Sequence, residues 1–385
     1  IFIKFCQNFL NKLSEYMNKI NYVTFSSIPS SLPSSLQIIK TCESLSKYNN
    51  NITLIKPGTG NKKISINNYY GIKYKINVKE FSIFDSFPRG LNFYLYSFCC
   101  LFFILKKSPS ITITRNYFIC FLLTLFRKKV ILEIHHDIKI EGRITKFIIK
   151  YFNILNKKKL IQIVAISKAV KNLFINQYKV NEKKITVLPS GSSIKIKQLS
   201  KFHNNKRMKI GYFGSISSSK GIDTLIKLSK IDPENDYFIF GGNKETISKI
   251  RMINTNKNLF LNDNIPYKEI PKIMSKMDIL TLPYTKIIKS AGEVDDISKY
   301  TSPLKLFDYL AVGKMIITSD LKVLKEIINS KNAFFVKNYE NVYEWKKNIS
   351  LAKNNKMKIF IISQNNLKLS KKYDHTRRVK HYLTF

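Results

Sequence analysis

The chain has 385 residues, 66 of them Lys or Arg against 25 Asp or Glu, giving a formal net charge of +41 with 44% hydrophobic residues. That length suits two domains, and the apolar fraction is ample for their cores. Five cysteines (Cys6, Cys42, Cys99, Cys100, Cys120) form no CxxC pair and no Cys/His metal spacing, which argues against a disulfide framework and for a reducing compartment.

Only eight of the basic residues are arginines, and Asn, Ile, Tyr and Phe are abundant. The charge therefore has two readings. One is compositional drift in an AT-rich genome; the other is attraction to a polyanion such as an anionic membrane face or a phosphorylated substrate. No zinc-finger, RNP-like or basic-zipper pattern is present, so no specific nucleic-acid partner is expected.

Residues 1–18 read as an extension or surface helix without a small-residue cleavage site, hence not a signal peptide. KINYVTF then opens a strand, followed by a Ser/Pro loop, the helix SSLQIIKTCESLSKY and the strand NITLIKP. Two apolar runs, 91–105 and 117–126, end in the basic clusters Lys106–Lys107 and Arg127–Lys129. Both are shorter than the roughly 20 residues a membrane span needs. They are either buried helices or a face resting on a bilayer. SITITRN, KKVILEIHHD, LIQIVAIS and KKITVLPS predict further strands, with helices near 141–156 and at KAVKNLFINQY.

Polar, basic residues 192–207 read as a linker, after which the alternation restarts with MKIGYFGS, DYFIFGG, NLFLND and DILTLPY as strands. The expected division is a first domain over 19–195, a linker at 196–207 and a second domain over 208–355. A helical segment, 356–385, is expected to pack back toward the first. Strands alternating with helices predict parallel sheets covered on both faces, an α/β chain of two Rossmann-like domains. Ligands in such folds bind beyond the carboxyl ends of the strands.

GYFGS does not match GxGxxG, so a dinucleotide fingerprint is not supported. The stretch TSPLKLFDYLAVGKMIITSD is more informative. Ser302 is expected to cap a helix with Pro303 at its first position, leaving amides that can receive an anion. Asp308 shares a helix face with Leu304 and Lys305, and an ionised carboxylate suits a vicinal diol. A phosphate at the helix start and a ribose at Asp308 would describe a nucleotide. The alternative is an Asp308–Lys305 surface pair worth about 0.3–0.5 kcal/mol. Lys220, at a loop-to-helix junction after the strand ending at Gly214, is a point charge suited to phosphate.

GYFGSISSSKGIDTLI, FIFGG, DILTLPY and TSPLKLFDYLAVGKMIITSDLKVLKEI resemble the nucleotide-sugar half of family 4 retaining glycosyltransferases. KINYVTF, TRN, ILEIHHD and VAISKAVKN are similar to the acceptor half, so the resemblance spans about 19–385. It implies the GT-B fold, two Rossmann-like domains with parallel sheets facing across a cleft. It implies transfer of a sugar from a nucleotide sugar to a glycan or polyprenyl-linked acceptor in bacterial surface polysaccharide synthesis. The place of action would be the cytoplasm, at the inner face of the membrane. By position, Asp308 matches the acid that holds the donor ribose, Lys220 the diphosphate lysine, and His135 the histidine at the reaction centre. Ser302, Pro303, Leu304, Lys305, Gly214 and Ser215 complete the expected binding set.

The sequence departs from that pattern at Tyr300, where the family has an acid, and at Ser215, where it has an arginine. Glu293, Asp295 and Asp296 lie near enough in sequence to stand in for the acid. With lysine and helix amides on the diphosphate, no cofactor and no metal are expected, and EVDD (293–296) reads as a solvated loop. The alternatives are a nucleotide-sugar epimerase or a non-catalytic nucleotide-binding protein on the same fold.

Overall fold

The computed structural model describes residues 19–48, 51–58, 65–82, 89–107, 110–196, 207–290 and 295–384. The amino-terminal extension, most of the expected linker and Glu293 lie outside them. Two compact units are formed, Ile1–Pro189 with Arg378–Phe385, and Ser190–Arg377.

The first unit is built on seven strands: β1 (Ile20–Val23), β2 (Ile52–Pro57), β3 (Asn77–Phe81), β4 (Ile111–Thr114), β5 (Lys129–Ile134), β6 (Leu160–Ala165) and β7 (Ile185–Val187). Their order is β3-β2-β1-β4-β5-β6-β7 and every pairing is parallel. INYV and ITIT are buried at every position, as strands covered on both faces must be. Side chains start the helices: Asn116 accepts from the amides of Phe118 and Ile119, and Ser167 from that of Val170. The core of Tyr22, Leu54, Ile113, Ile131 and Val164 is completed by Val379 and Tyr382 from the carboxyl-terminal segment.

Both apolar runs are helical, Arg89–Leu105 and Tyr117–Leu125. The second is largely buried, but Phe98, Phe102, Leu125 and Phe126 remain exposed. No helix among the described residues is long and apolar enough to cross a membrane. The helix Arg143–Tyr151 buries Thr145, Ile148 and Ile149. Its outer face leaves Ile144 54%, Phe147 54% and Tyr151 68% exposed, beside Arg143, Lys146 and Lys150.

The second unit has six parallel strands: β8 (Lys209–Phe213), β9 (Asp236–Gly242), β10 (Leu259–Asp263), β11 (Ile279–Leu282), β12 (Met315–Ser319) and β13 (Ala333–Val336). Their order is β10-β9-β8-β11-β12-β13, so the direction of winding reverses between β8 and β11. Alternate residues feed two cores, Ile210, Tyr212, Ile279 and Ile317 on one face and Phe213, Leu280, Leu282 and Ile316 on the other.

Two expectations about boundaries change. Residues 192–196 are part of the second unit, because Ile194 and Ile196 pack on its core. The helix Lys356–Ser370, expected to pack toward the first domain, belongs to the second. Ile359 and Ile362 enter that core, and Asn366 donates to the carbonyls of Lys314 and Asn332. The chain returns to the first unit only at Arg378.

Candidate functional site

The winding reversal of the second sheet places the ends of β8 and β11 side by side, where such folds hold ligands. Gly214 follows β8 with φ 143°, and a Cβ there would stand 2.5 Å from the Lys305 ammonium nitrogen. Glycine thus lets that ammonium approach the turn. Gly221 (φ 77°) has the backbone of Pro283 where a side chain would begin. That close approach seats the Lys220 turn against the end of β11.

Lys305 Nζ donates to Tyr212 Oη at 2.7 Å and lies 4.1 Å from the Tyr212 ring centroid and 5.3 Å from that of Tyr284. Tyr212 Oη donates in turn to the Ser215 carbonyl at 2.8 Å. Lys220 Nζ lies 5.9 Å from the Tyr284 centroid and donates to the Lys289 carbonyl. The structure therefore gathers Gly214, Ser215, Lys220 and Lys305 around two tyrosines. Burial holds the Lys305 ammonium well below the usual lysine range, and the charge of Lys220 adds to the effect. Among the described residues no carboxylate forms an ion pair with Lys305. Lys220 beside a buried lysine that has no carboxylate partner among the described residues makes a place for an anion, whose arrival would favour the charged form of Lys305.

The helix after Thr301 starts differently from expectation. It runs Leu304–Val312 with Pro303 as the capping residue (φ −71°, ψ 118°) rather than the first helical one. Ser302 does not cap it. Its Oγ accepts the amide of Ser190 at 3.0 Å, which takes up the oxygen that a cap would use. Leu304 opens the helix, half-buried.

Asp308 is 6% exposed, and its Oδ1 accepts from Ser192 Oγ at 2.5 Å and Tyr267 Oη at 3.1 Å. The Asp308–Lys305 surface pair is not formed, since the two side chains take different partners. Ser192 is fixed further by its amide, which donates to Tyr373 O at 2.9 Å, and by its carbonyl, which accepts from His375 N–H at 3.2 Å. Sequence reasoning missed Ser192 and Tyr267, one inside an apparent linker and the other in an unremarkable turn. Tyr300 sits in a turn with its amide on Ile297 O. Asp296 Oδ1 accepts from the Ser298 amide at 2.9 Å, and no group of potential metal ligands occurs among the described residues.

In the first unit His135 follows β5. Its Nε2 is buried without a hydrogen-bond partner among the described residues, 4.0 Å from Glu133 Oε2. Burial pushes its pKa down to about 3, Arg115 acting in the same direction and Glu133 against it. His136 points elsewhere, with Nε2 3.7 Å from Glu141 Oε1. Glu133 is wholly buried. Its Oε2 accepts from Tyr22 Oη at 2.6 Å and Arg115 Nε at 2.9 Å, and its Oε1 from Arg378 Nη2 at 2.6 Å and Tyr382 Oη. Burial alone would raise the Glu133 carboxyl; Arg378 and Arg115 hold it well below the usual range.

Residues 194–371 match the family model described as glycosyl transferases group 1. The chain is 26% identical over 280 residues to the uncharacterized glycosyltransferase MJ1069 of Methanocaldococcus jannaschii, covering 64% of this chain and 67% of that protein. Its fold is similar to Anabaena Alr3699/HepE solved in complex with UDP, with a TM-score of 0.70 at 14% identity over 95% of this chain and 98% of that one. It is also similar to a glycosyltransferase from Rickettsia africae ESF-5, with a TM-score of 0.71 at 15% identity over 96% and 97% of the two chains. The architecture is GT-B, and the chain is a glycosyltransferase.

Proposed function

We propose that this glycosyltransferase moves a sugar from a nucleoside-diphosphate sugar to a glycan acceptor with retention of configuration, as family 4 enzymes do. The observation that carries the reading is the convergence of Lys220 and Lys305 on Tyr284 at the winding reversal, with no carboxylate among the described residues paired to Lys305. A departing diphosphate gathers negative charge, and preorganised cations stabilise that charge as it forms. Each charge-assisted hydrogen bond contributes about 1.5–3 kcal/mol. Lys305 takes the part of the arginine that Ser215 replaces. Asp308 receives the ribose diol, which requires Ser192 Oγ to yield its place on Oδ1. The two lysines supply the positive charge that a divalent ion would otherwise bring, so turnover is expected to persist in chelator.

His135 is assigned to the reaction centre on the acceptor side. A neutral imidazole there can hydrogen-bond a sugar hydroxyl without adding charge beside the oxocarbenium-like transition state. HepE solved with UDP supports uridine diphosphate sugars as the first donors to try. The acceptor is proposed to be lipid-linked, at the inner membrane face during surface polysaccharide assembly. The exposed apolar stripe and flanking cations of helix Arg143–Tyr151 support an anionic bilayer as partner.

The test is a panel of nucleoside-diphosphate sugars in calorimetry, then product analysis with and without a glycan acceptor. Acceptor-dependent transfer with an unchanged anomeric configuration is expected. Turnover of donor alone would make the protein an epimerase, and binding without turnover a non-catalytic module. His135→Ala is expected to abolish transfer and leave donor binding intact.

A further inference from the structure

Glu133 and His135 lie two residues apart, at the end of β5 and just beyond it, an arrangement in which a buried carboxylate can accept a hydrogen bond from the imidazole and favour its protonated form. Here it does not: Nε2 and Oε2 stand 4.0 Å apart, beyond hydrogen-bond reach. Both carboxylate oxygens are instead engaged by donors from other elements. Tyr22 comes from β1, Arg115 from just beyond β4, and Arg378 and Tyr382 from the carboxyl-terminal segment, 245 and 249 residues along the chain from Glu133. Arg378 is almost fully buried and is itself anchored, its Nε donating to the Pro189 carbonyl at 3.1 Å.

We propose that Arg378 is a positioning residue for His135, committing the Glu133 carboxylate to a guanidinium and so withholding it from the imidazole. The proposal rests on the reading of His135 given above. The charged and titratable groups around the pair are Arg115, Arg378, Tyr22, Tyr382 and Cys42. Two of them are permanent cations, and the burial-raised phenols and thiol stay neutral near pH 7. With both arginines present, one carboxylate faces two positive charges and the imidazole next to them remains unprotonated. With Arg378 gone, a single arginine balances Glu133, and the spare Oε1 charge favours an imidazolium. An imidazolium can no longer accept through Nε2 and would place a positive charge where a cationic sugar forms. The segment beginning at Arg378 would thereby set whether the first unit is competent for transfer.

The experiment is nuclear magnetic resonance titration of the histidine ring protons in the full chain, which has five histidines, with His135 assigned through His135→Gln. In the unaltered protein the His135 signals are expected to stay constant between about pH 5 and 8. In Arg378→Gln they are expected to titrate within that window, and Arg378→Lys is expected to restore constancy by returning the charge. Tyr382→Phe, a gentler removal of the other Oε1 donor, is expected to move the titration the same way by a smaller step. A His135 that titrates in this window in the unaltered protein overturns the proposal. So does a folded Arg378→Gln whose His135 still fails to titrate or, should that variant not fold, an unmoved Tyr382→Phe. Transfer rates against pH separate the two levels of argument. A moved titration with a parallel loss of kcat on the acid side supports both. A moved titration with an unmoved rate profile keeps Arg378 in its role and removes His135 from the reaction.

Discussion

Lys220 and Lys305 reach the same aromatic ring from different elements: their ammonium groups lie 5.9 and 5.3 Å from the centroid of Tyr284. One sits on the turn after β8, the other on the first turn of helix Leu304–Val312. Burial and the charge of Lys220 both disfavour the ammonium form of Lys305, so holding that form costs stability until an anion offsets it.

Replacing Lys305 should expose that trade. Lys305→Met keeps the aliphatic contacts and deletes the charge that burial disfavours. The unliganded variant is expected to melt about 2–4 °C higher, the shift that about 1 kcal/mol produces in a domain of this size. Stabilisation by nucleoside diphosphate should largely disappear. A thermal-shift measurement with and without UDP checks both halves, and an unchanged UDP response would remove Lys305 from the phosphate site.

Asp308→Asn removes the ionised acceptor without changing shape. Donor affinity is expected to fall roughly 10–100-fold, corresponding to a lost charge-assisted bond of about 1.5–3 kcal/mol. Ser192→Ala should do the opposite, since a ribose hydroxyl then meets a carboxylate oxygen with one competitor fewer. Calorimetry on the pair checks the assignment, and equal affinities in all three proteins would end it.

Acid should weaken the first unit over a defined window. His135 is held near 3 in the folded chain against an ordinary value of 6.5, so the unfolded chain binds the extra proton between those values. The stability this group contributes is complete above pH 6.5 and declines as the pH falls from 6.5 toward 3, by up to about 1.4 kcal/mol per pH unit. Urea midpoints measured from pH 7 to pH 4 should show this decline, and His135→Gln should flatten it.

Phe147→Ser combined with Tyr151→Ser removes apolar area that is more than half exposed on the outer face of helix Arg143–Tyr151. Binding to anionic vesicles is expected to fall at least about tenfold, because each ring contributes roughly 1.5–3 kcal/mol when buried. Lys146→Glu should weaken binding mainly at low salt. Sedimentation with neutral and anionic vesicles distinguishes the two effects. Equal binding by all variants would place membrane contact elsewhere or nowhere.

Much of this architecture is legible in the sequence, and the exceptions have physical causes. Runs such as INYV, ITIT and VILEI announce buried parallel strands because they are β-branched and lack alternation. The places of Lys220 and Lys305, after a strand end and at a helix start, are legible in the sequence. Ser192 was not, because a polar run reads as a linker until the chain pairing that fixes it is known. Ser302 has the right residue type for a cap, yet the Ser190 amide claims its oxygen. The helix Arg143–Tyr151 is apolar on two sides, so periodicity alone cannot say which stripe is buried. Arg378 lies beyond any local signal, since its partner is 245 residues away.

The way the first unit is closed bears on its synthesis. Residues 19–189 leave the ribosome long before Arg378 and Tyr382 exist, and until then Glu133 has lost two of its four donors inside an apolar shell. The second unit, a single uninterrupted stretch, is complete at Arg377, one residue before the segment that the first unit awaits. The leading half of this enzyme therefore waits for a trailing segment to arrive before it is whole.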